Sequence, residues 1–186
     1  MTRYKLRNTV PQKQPTSGFL GRHSAAPYPT RSEEAMKKVT METYREDTLY
    51  PKVVWATAAL LKESDEISPV ALLMQIGNLS SSDYDAWRRG RVLYLERVFQ
   101  GSLSKATRYL WIIGFHAHDL NMIPSQHTYR QVGKKRMLQF TRSGEGNQEK
   151  SYARHFRWNQ SQKRKQEHTE RTLSEANAER RPEGRS

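Results

Sequence analysis

The stretch "SLSKATRYLWIIGFHAHDLN", residues 102–121, contains the clearest periodic pattern in the chain. Its apolar residues recur at steps of three and four, the spacing that places side chains on one buried face of an α-helix. These residues are Leu103, Ala106, Leu110, Ile113, Ala117 and Leu120. Pro124 follows the pattern and ends the predicted helix. The stretch therefore indicates a mainly α fold.

Shorter helices are predicted on the N-terminal side of this stretch, and residues typical of helix ends bound them. The predicted ranges are 51–66, 68–77, 81–90 and 91–101. Pro51, Ser68 and Pro69 are residues that favour a first helical turn. Three glycines stand where the helices are expected to end: Gly77, Gly90 and Gly101. Together these helices predict a small helical domain.

One β-hairpin is predicted at the C-terminal end of this domain, over residues 128–141. Leu138 and Phe140 alternate with Gln139, which is typical of a strand, and Gly133-Lys134-Lys135 supplies the turn. The next segment with aromatic residues is "SYARHFRW", residues 151–158. It predicts one or two final helical turns, with Tyr152 and Phe156 packed on the body.

Composition divides the chain into four parts. Residues 1–31 contain six basic residues and no acidic one, together with several prolines and glycines, and this predicts a disordered basic arm. The other predicted parts are a polar helix at 32–48, the helical domain with its hairpin at 49–141, and a charged, partly helical or disordered tail at 142–186.

The charge balance indicates the class of partner. The chain of 186 residues has 32 Lys and Arg against 19 Asp and Glu, a net charge of +13, and such an excess attracts polyanions. No apolar run approaches the roughly 20 residues that a membrane-spanning helix needs. The absence of cysteine excludes disulfides and cysteine-ligated zinc. With no apolar signal sequence near the start, a cytoplasmic rather than secreted protein is expected, in the nucleoid or nucleus if it binds DNA.

Catalytic and metal-binding patterns are weak throughout the sequence. No serine or threonine lies in a nucleophile elbow, and no glycine cluster follows a predicted strand, so a non-catalytic protein without a cofactor is expected. In "FHAHDLN" the residues His116, His118 and Asp119 are metal-ligating types. Because the two histidines are two residues apart, they point to opposite sides of a helix, and we expect a surface Asp–His hydrogen bond instead.

Residues 72–98, "LLMQIGNLSSSDYDAWRRGRVLYLERV", resemble the helix-turn-helix of the Cro and Xre repressor class. The residues that carry the resemblance are Gly77 at the end of a first helix, Trp87 and Gly90 at the end of a second, and the apolar residues after Arg91. The resemblance implies that the second helix enters the major groove of DNA while the tryptophan anchors it to the core.

A second placement of a helix-turn-helix uses residues farther along the chain. Here helix 91–100 and helix 102–121 form the motif, and the hairpin follows as the wing of a winged-helix protein does. Between residues 101 and 143 the basic residues outnumber the acidic ones by seven to one. Taken together, the two placements predict phosphate contacts from Arg88, Arg89, Arg91, Lys105, Arg108, Lys134, Lys135 and Arg136.

Three other interpretations stay open at this stage. The arginines around Gly90 also fit a solvated helix end, where cations complement the helix dipole. The interleaved aromatics and cations of 151–158 suit an RNA- or ribosome-associated protein, because aromatic rings stack on unpaired bases. A module that binds a protein partner or forms a homodimer is the third. Trp55, Trp87 and Trp111 are expected in the core in every case.

Overall fold

The computed structural model describes residues 39–180, without the side chains of the last two. The predicted basic arm at 1–31, most of the first half of the predicted helix at 32–48, and residues 181–186 lie outside this range. Within it the protein is mainly helical and has a small antiparallel sheet of three strands. The helices are α1 (Tyr50–Glu63), α2 (Pro69–Ile76), α3 (Ser81–Arg88), α4 (Leu103–Asp119), α5 (Gly146–Tyr152) and α6 (Gln162–Arg180). The strands are β1 (Glu66–Ile67), β2 (Ile123–Gln126) and β3 (Arg154–Arg157).

Serine side chains cap the N-termini of three of these helices. The hydroxyls of Ser68, Ser80 and Ser102 each accept a hydrogen bond from the backbone N–H three residues later, which satisfies a donor that the first helical turn leaves free. Gly77 ends α2 with a φ of 84°, a conformation that favours glycine. The helices predicted at 68–77, 81–90 and 102–121 are confirmed within two residues at each end, whereas the one predicted at 51–66 ends at Glu63 and Glu66 belongs to β1.

The helix predicted at 91–101 is wrong. Residues 95–98 form a short 3-10 helix, Leu95–Val98, and the residues before it are bent or extended. Leu95 N donates to Gln139 O at 3.2 Å and Glu96 N donates to Phe140 O at 2.9 Å. Because these donors bond to a distant segment, they are not available for a continuous helical ladder. Residues 44–46, inside the predicted polar helix, likewise form only a 3-10 turn, Tyr44–Glu46.

The hairpin predicted at 128–141 is present only as a closed loop. Leu138 N donates to Tyr129 O at 2.8 Å and one antiparallel bridge joins Arg130 to Met137, but no strands form. The pairing stops there because Gln139 forms a bridge with Tyr94 instead. The sheet of this protein lies elsewhere, in the order β1–β3–β2.

Residues 154–157 form the central strand of the sheet, so the helix predicted for 151–158 is wrong beyond Tyr152. Glu66 in β1 and Ile123 in β2 both pair with Arg157. One face of the sheet is buried by Ile67 and Phe156, which are 1% and 5% exposed. The pairing with two flanking strands overrides the local helical spacing of the aromatics.

The core lies between α1, α2, α4 and the buried face of the sheet. Trp87 is fully buried, as predicted, whereas Trp55 is half-buried and Trp111 is 43% exposed, so the core prediction for Trp111 is wrong. The chain after Thr141, expected to be a charged tail, contributes β3 to the sheet and α6, which packs along α1. In the described range no helix combines the length and apolar character needed to cross a bilayer.

Candidate nucleic-acid interface

The C-terminal end of α3 is held in place by Trp87. Its indole Nε1 donates to Gln139 O at 2.9 Å, and its ring packs against Phe140 and Tyr129 with centroid distances of 5.2 and 5.6 Å. The indole satisfies its only donor while it is fully buried, so this end of α3 is rigidly placed. Arg88 and Arg89 follow directly at the surface.

The loop of residues 130–137 is fastened to this end of α3. Val132 N donates to Arg88 O and Gln131 Nε2 donates to Arg89 O, both at 2.9 Å. These bonds satisfy carbonyl groups that the last helical turn leaves free. Gly90 has a φ of 73°, and a Cβ there would lie 2.6 Å from the Gln131 side chain. Glycine is therefore needed both for the turn and for the close approach of the loop.

The loop is also closed upon itself. Gln131 N donates to Arg136 O at 2.9 Å, Lys134 N donates to Gln131 O at 3.0 Å, and the guanidinium of Arg130 donates to Lys135 O at 2.8 Å. The three basic residues of the tip therefore project from a defined turn. We call the cations of this loop and of the end of α3 the basic surface: Arg88, Arg89, Arg91, Arg130, Lys134, Lys135 and Arg136.

The charges of the basic surface have no acidic partner among residues 39–180. None of its seven cations takes part in an ion pair within that range. Arg88 Nη1 donates to Arg130 O at 2.9 Å and its guanidinium lies 5.7 Å from the centre of the Tyr129 ring. A carbonyl and an aromatic ring orient a cation without neutralising it. The positive charge is therefore available to a polyanion.

Lys105 and Arg108 belong to α4 and not to the two segments that form the basic surface. Arg108 forms a two-pronged salt bridge with Asp47, with Nε–Oδ2 and Nη2–Oδ1 distances of 3.0 and 2.6 Å. The ammonium of Lys105 lies 5.8 Å from the centre of the Tyr109 ring. Because the carboxylate of Asp47 compensates the charge of Arg108, the structure gives this arginine a role in joining α4 to the N-terminal turn.

Neither placement of a helix-turn-helix is complete. The second one lacks its first helix, since residues 91–100 contain only a 3-10 turn. The first has both of its main helices, α2 and α3, with Gly77 between them, but the apolar helix expected after Arg91 is absent. Asp83 and Asp85 lie on α3, where carboxylates repel phosphate. The basic surface consequently lies at the end of α3 and not along it.

The aromatic residues of 151–158 are not available for stacking on bases. Tyr152, Phe156 and Trp158 are 2%, 5% and 7% exposed. Packing on the body, as expected, is confirmed for Tyr152 and Phe156. Only the cations Arg154 and Arg157 lie outward on this segment, so an RNA-binding role would depend on charge alone.

The metal-ligating residue types of the "FHAHDLN" segment do not converge on one point. Asp119 accepts a hydrogen bond from Tyr44 Oη at 2.5 Å and pairs with the guanidinium of Arg45, while His118 Nδ1 lies 3.6 Å from the second carboxylate oxygen. His116 points the other way, into the core, and burial lowers its pKa to about 4.

Burial also raises the pKa of Tyr129 beneath the basic surface.

The sequence shows Arg130 only as one of the basic residues between positions 101 and 143. Its hydrogen bond to Lys135 O, which closes the loop tip, depends on a fold in which residue 130 faces residue 135. Comparisons with known proteins add no further residue. No protein-family model, curated protein or solved structure matches this chain. The resemblance of residues 72–98 to the Cro and Xre class therefore stays a prediction.

Proposed function

We propose that this protein is a non-catalytic nucleic-acid-binding protein that contacts the phosphates of duplex DNA through the basic surface. The observation that carries the proposal is the meeting of two distant segments, residues 88–91 and 130–136, whose cations have no acidic partner in the described range. Bringing like charges together destabilises an isolated protein, and a bound polyanion reverses that cost.

The rigid placement of these cations supports binding to a regular polyanion. Trp87 and the bonds from the loop to the end of α3 fix the spacing of the cations. Phosphate contacts of this kind set the position and orientation of a protein on a duplex without reading its sequence. α2 and α3 are the helices that a helix-turn-helix would use. On α3 the side chains of Ser81, Ser82 and Asp85 are exposed and would be the candidates for contacts to base edges.

A second candidate function is suggested by apolar side chains beside the basic surface. Leu93, Val132 and Met137 are 60%, 58% and 65% exposed, in the same loop and in the segment after α3. An acidic protein partner with an apolar centre would cover both the charges and these side chains. Such a complex would depend less on salt than a complex with DNA does, because part of its stability comes from apolar burial.

The test is fluorescence anisotropy of the full chain with duplex DNA, single-stranded DNA and RNA across a series of salt concentrations. Lys134→Ala, Lys135→Ala and Arg136→Ala are combined in one variant. Lys52→Ala, Lys62→Ala and Lys150→Ala form the control, because these exposed lysines lie on α1 and α5 and removing them lowers the net charge equally. We plot the logarithm of the association constant against the logarithm of the salt concentration. We expect the loop variant to make the negative slope of this plot shallower by about 3, and the control variant to keep most of the wild-type slope.

Each other outcome counts against a defined part of the proposal. Equal losses in the two variants would mean that bulk charge and not the basic surface binds DNA. A preference for RNA would transfer the proposal to an RNA-associated protein. If the wild-type chain binds none of the three nucleic acids at low salt, the proposed function is wrong and a protein partner becomes the better explanation.

A further inference from the structure

Three side chains that commonly bind metal ions meet on the outer face of the sheet. Glu66 belongs to β1, His155 to β3, and His127 follows directly after β2. Glu66 Oε1 lies 2.6 Å from His155 Nδ1 and 3.8 Å from His127 Nε2. One donor atom from each of the three side chains lies within 4.8 Å of the other two. No sequence motif joins these residues, because they come from three separate segments.

The strand register explains why they meet. Ser125 in β2 pairs with His155 in β3, and His127 N donates to Ala153 O at 3.0 Å, which continues the same pairing. Since side chains alternate between the faces of a sheet, residues 127 and 155 lie on one face. Glu66 pairs with Arg157, two residues from His155, and so lies on that face too. The opposite face is buried in the core, so the backbone of all three positions is firmly held.

We propose that Glu66, His127 and His155 bind one Zn²⁺ ion, with water completing the coordination. Two imidazoles and one carboxylate are a known three-ligand set for zinc at sites that keep a water position. Tetrahedral zinc with bonds of about 2.0–2.1 Å places its donor atoms roughly 3.4 Å apart. The two distances from Glu66 Oε1, 2.6 and 3.8 Å, lie on either side of that value, so changes of less than about 1 Å in each would suit these two donor pairs to a shared ion.

The histidine rings must turn relative to each other when the ion binds. In the structure they are stacked, with centroids 3.7 Å apart and an angle of 4° between their planes. A bound ion lies near the plane of each ring, which parallel rings do not allow. The His127 side chain is 42% exposed and stands at the end of its strand, so it has room to rotate. His127 therefore adjusts, and Glu66 and His155 receive the ion nearly as they stand.

Tyr129 is the positioning residue of this site. Its hydroxyl lies 2.8 Å from His155 Nε2, the ring nitrogen that the ion would not use. A hydroxyl either donates or accepts, so it can accept a hydrogen bond from Nε2–H once Nδ1 binds the ion. Hydrogen bonds of this kind fix the orientation and tautomer of a metal-binding histidine. The site would thus have its supporting contact before any ion is present.

The experiment is isothermal titration calorimetry of the full chain with ZnCl₂ after treatment with a chelator and its removal. We expect one saturable site per chain. His127→Ala is expected to weaken binding by at least tenfold while it leaves the fold intact, since the side chain is exposed. His118→Ala is the control, because His118 is 73% exposed and lies on α4 beside Pro124 and Phe156, on the face of the sheet opposite to the three ligands. Tyr129→Phe should weaken binding by about tenfold without changing the stoichiometry.

Circular dichroism of each variant separates loss of metal binding from loss of fold. The proposal is wrong if the wild-type chain shows no saturable 1:1 binding. It is equally wrong if the His118 variant loses affinity and the His127 variant keeps it, which would indicate adventitious binding by surface histidines. The result does not depend on nucleic-acid binding, so either proposal can fail without the other.

Discussion

α4 and the basic surface both carry cations, but the cations of the two regions have different partners. On α4, Arg108 is locked to Asp47 by two hydrogen bonds, and its side chain is 32% exposed. In the basic surface, Arg89 and Arg91 are exposed and have no ion-pair partner among residues 39–180. The first arrangement joins two parts of the fold, whereas the second leaves charge available for a ligand.

This difference shows how a positive residue acquires its role. Asp47 lies 61 residues before Arg108 in the chain, and only folding brings them together. A charged pair of this kind contributes to stability and has little attraction left for phosphate. An arginine that is held only by a carbonyl group and an aromatic ring, as Arg88 is, keeps its attraction for phosphate. Stability and nucleic-acid binding should therefore divide between α4 and the basic surface, and substitutions in each region should affect one property and not the other.

The largest expected effect concerns Trp87, which holds the basic surface on the body. Trp87→Ala removes a fully buried side chain and its hydrogen bond to Gln139, and should lower the free energy of unfolding by about 3–5 kcal/mol. Urea denaturation followed by far-UV circular dichroism measures the loss. Trp111→Ala is the contrast, with a smaller loss expected because that side chain is 43% exposed. Equal losses would show that Trp87 has no special part in placing α3.

Several helices of this fold could be predicted because their signals are local. Apolar residues recur at steps of three and four along 102–121, and serines cap the N-termini of α2, α3 and α4 at positions 68, 80 and 102. Both signals involve residues within one or two helical turns, so these three helices can be predicted from neighbouring residues. The failures have the opposite cause. Leu95 and Glu96 donate to residues 139 and 140, and Phe156 pairs with Pro124 and Ile67, 32 and 89 residues earlier in the chain, so distant partners override the local pattern.

The candidate sites divide along the same line. The basic residues near 88–91 and 134–136 are visible as clusters in the sequence, so most of the basic surface could be predicted. That the two clusters adjoin could not, because it depends on bonds from Gln131 and Val132 to the end of α3. The cluster of Glu66, His127 and His155 gives no signal in the sequence, since its members are 61 and 28 residues apart and only the sheet brings them together.

A second prediction concerns α4 as a stabilising region and uses pH. Burial, and next the nearby His168, lower the pKa of His116 to about 4 from a usual value of 6.5. Between these two values the unfolded chain binds a proton that the folded chain does not, so stability falls as the pH falls from about 6.5 towards 4. From pH 7.5 to pH 5, His116 should cost about 2 kcal/mol of the free energy of unfolding.

His116→Leu is the variant that isolates this contribution. It removes the titrating ring, whose Nε2 has no hydrogen-bond partner among the described residues, and should reduce the loss of stability between pH 7.5 and pH 5. The contribution of His168, whose pKa is also lowered by burial, remains. His118→Ala is the matched control for the loss of one histidine from the same helix, because the His118 side chain is 73% exposed. Urea unfolding at both pH values would refute the assignment if the His116 variant loses as much stability as the wild type.

The last prediction, with the smallest expected effects, compares the two regions directly. The first variant combines Lys105→Ala with Arg108→Ala, and the second combines Arg89→Ala with Arg91→Ala, so each loses two positive charges. In the α4 variant, Asp47 loses a partner in an incompletely buried pair, which should cost about 1–2 kcal/mol of the free energy of unfolding. Affinity for duplex DNA should stay close to that of the wild type.

The Arg89 and Arg91 variant should behave in the reverse manner. Exposed residues without ion-pair partners in the described range contribute little to folding, so its stability should stay within about 0.5 kcal/mol of the wild type. Its affinity for duplex DNA should fall roughly tenfold, and the negative slope of the logarithm of the association constant against the logarithm of salt concentration should become shallower by about 2. If the α4 variant loses the affinity instead, then the salt bridge of Arg108 opens on binding, and α4 is the face that meets the phosphates.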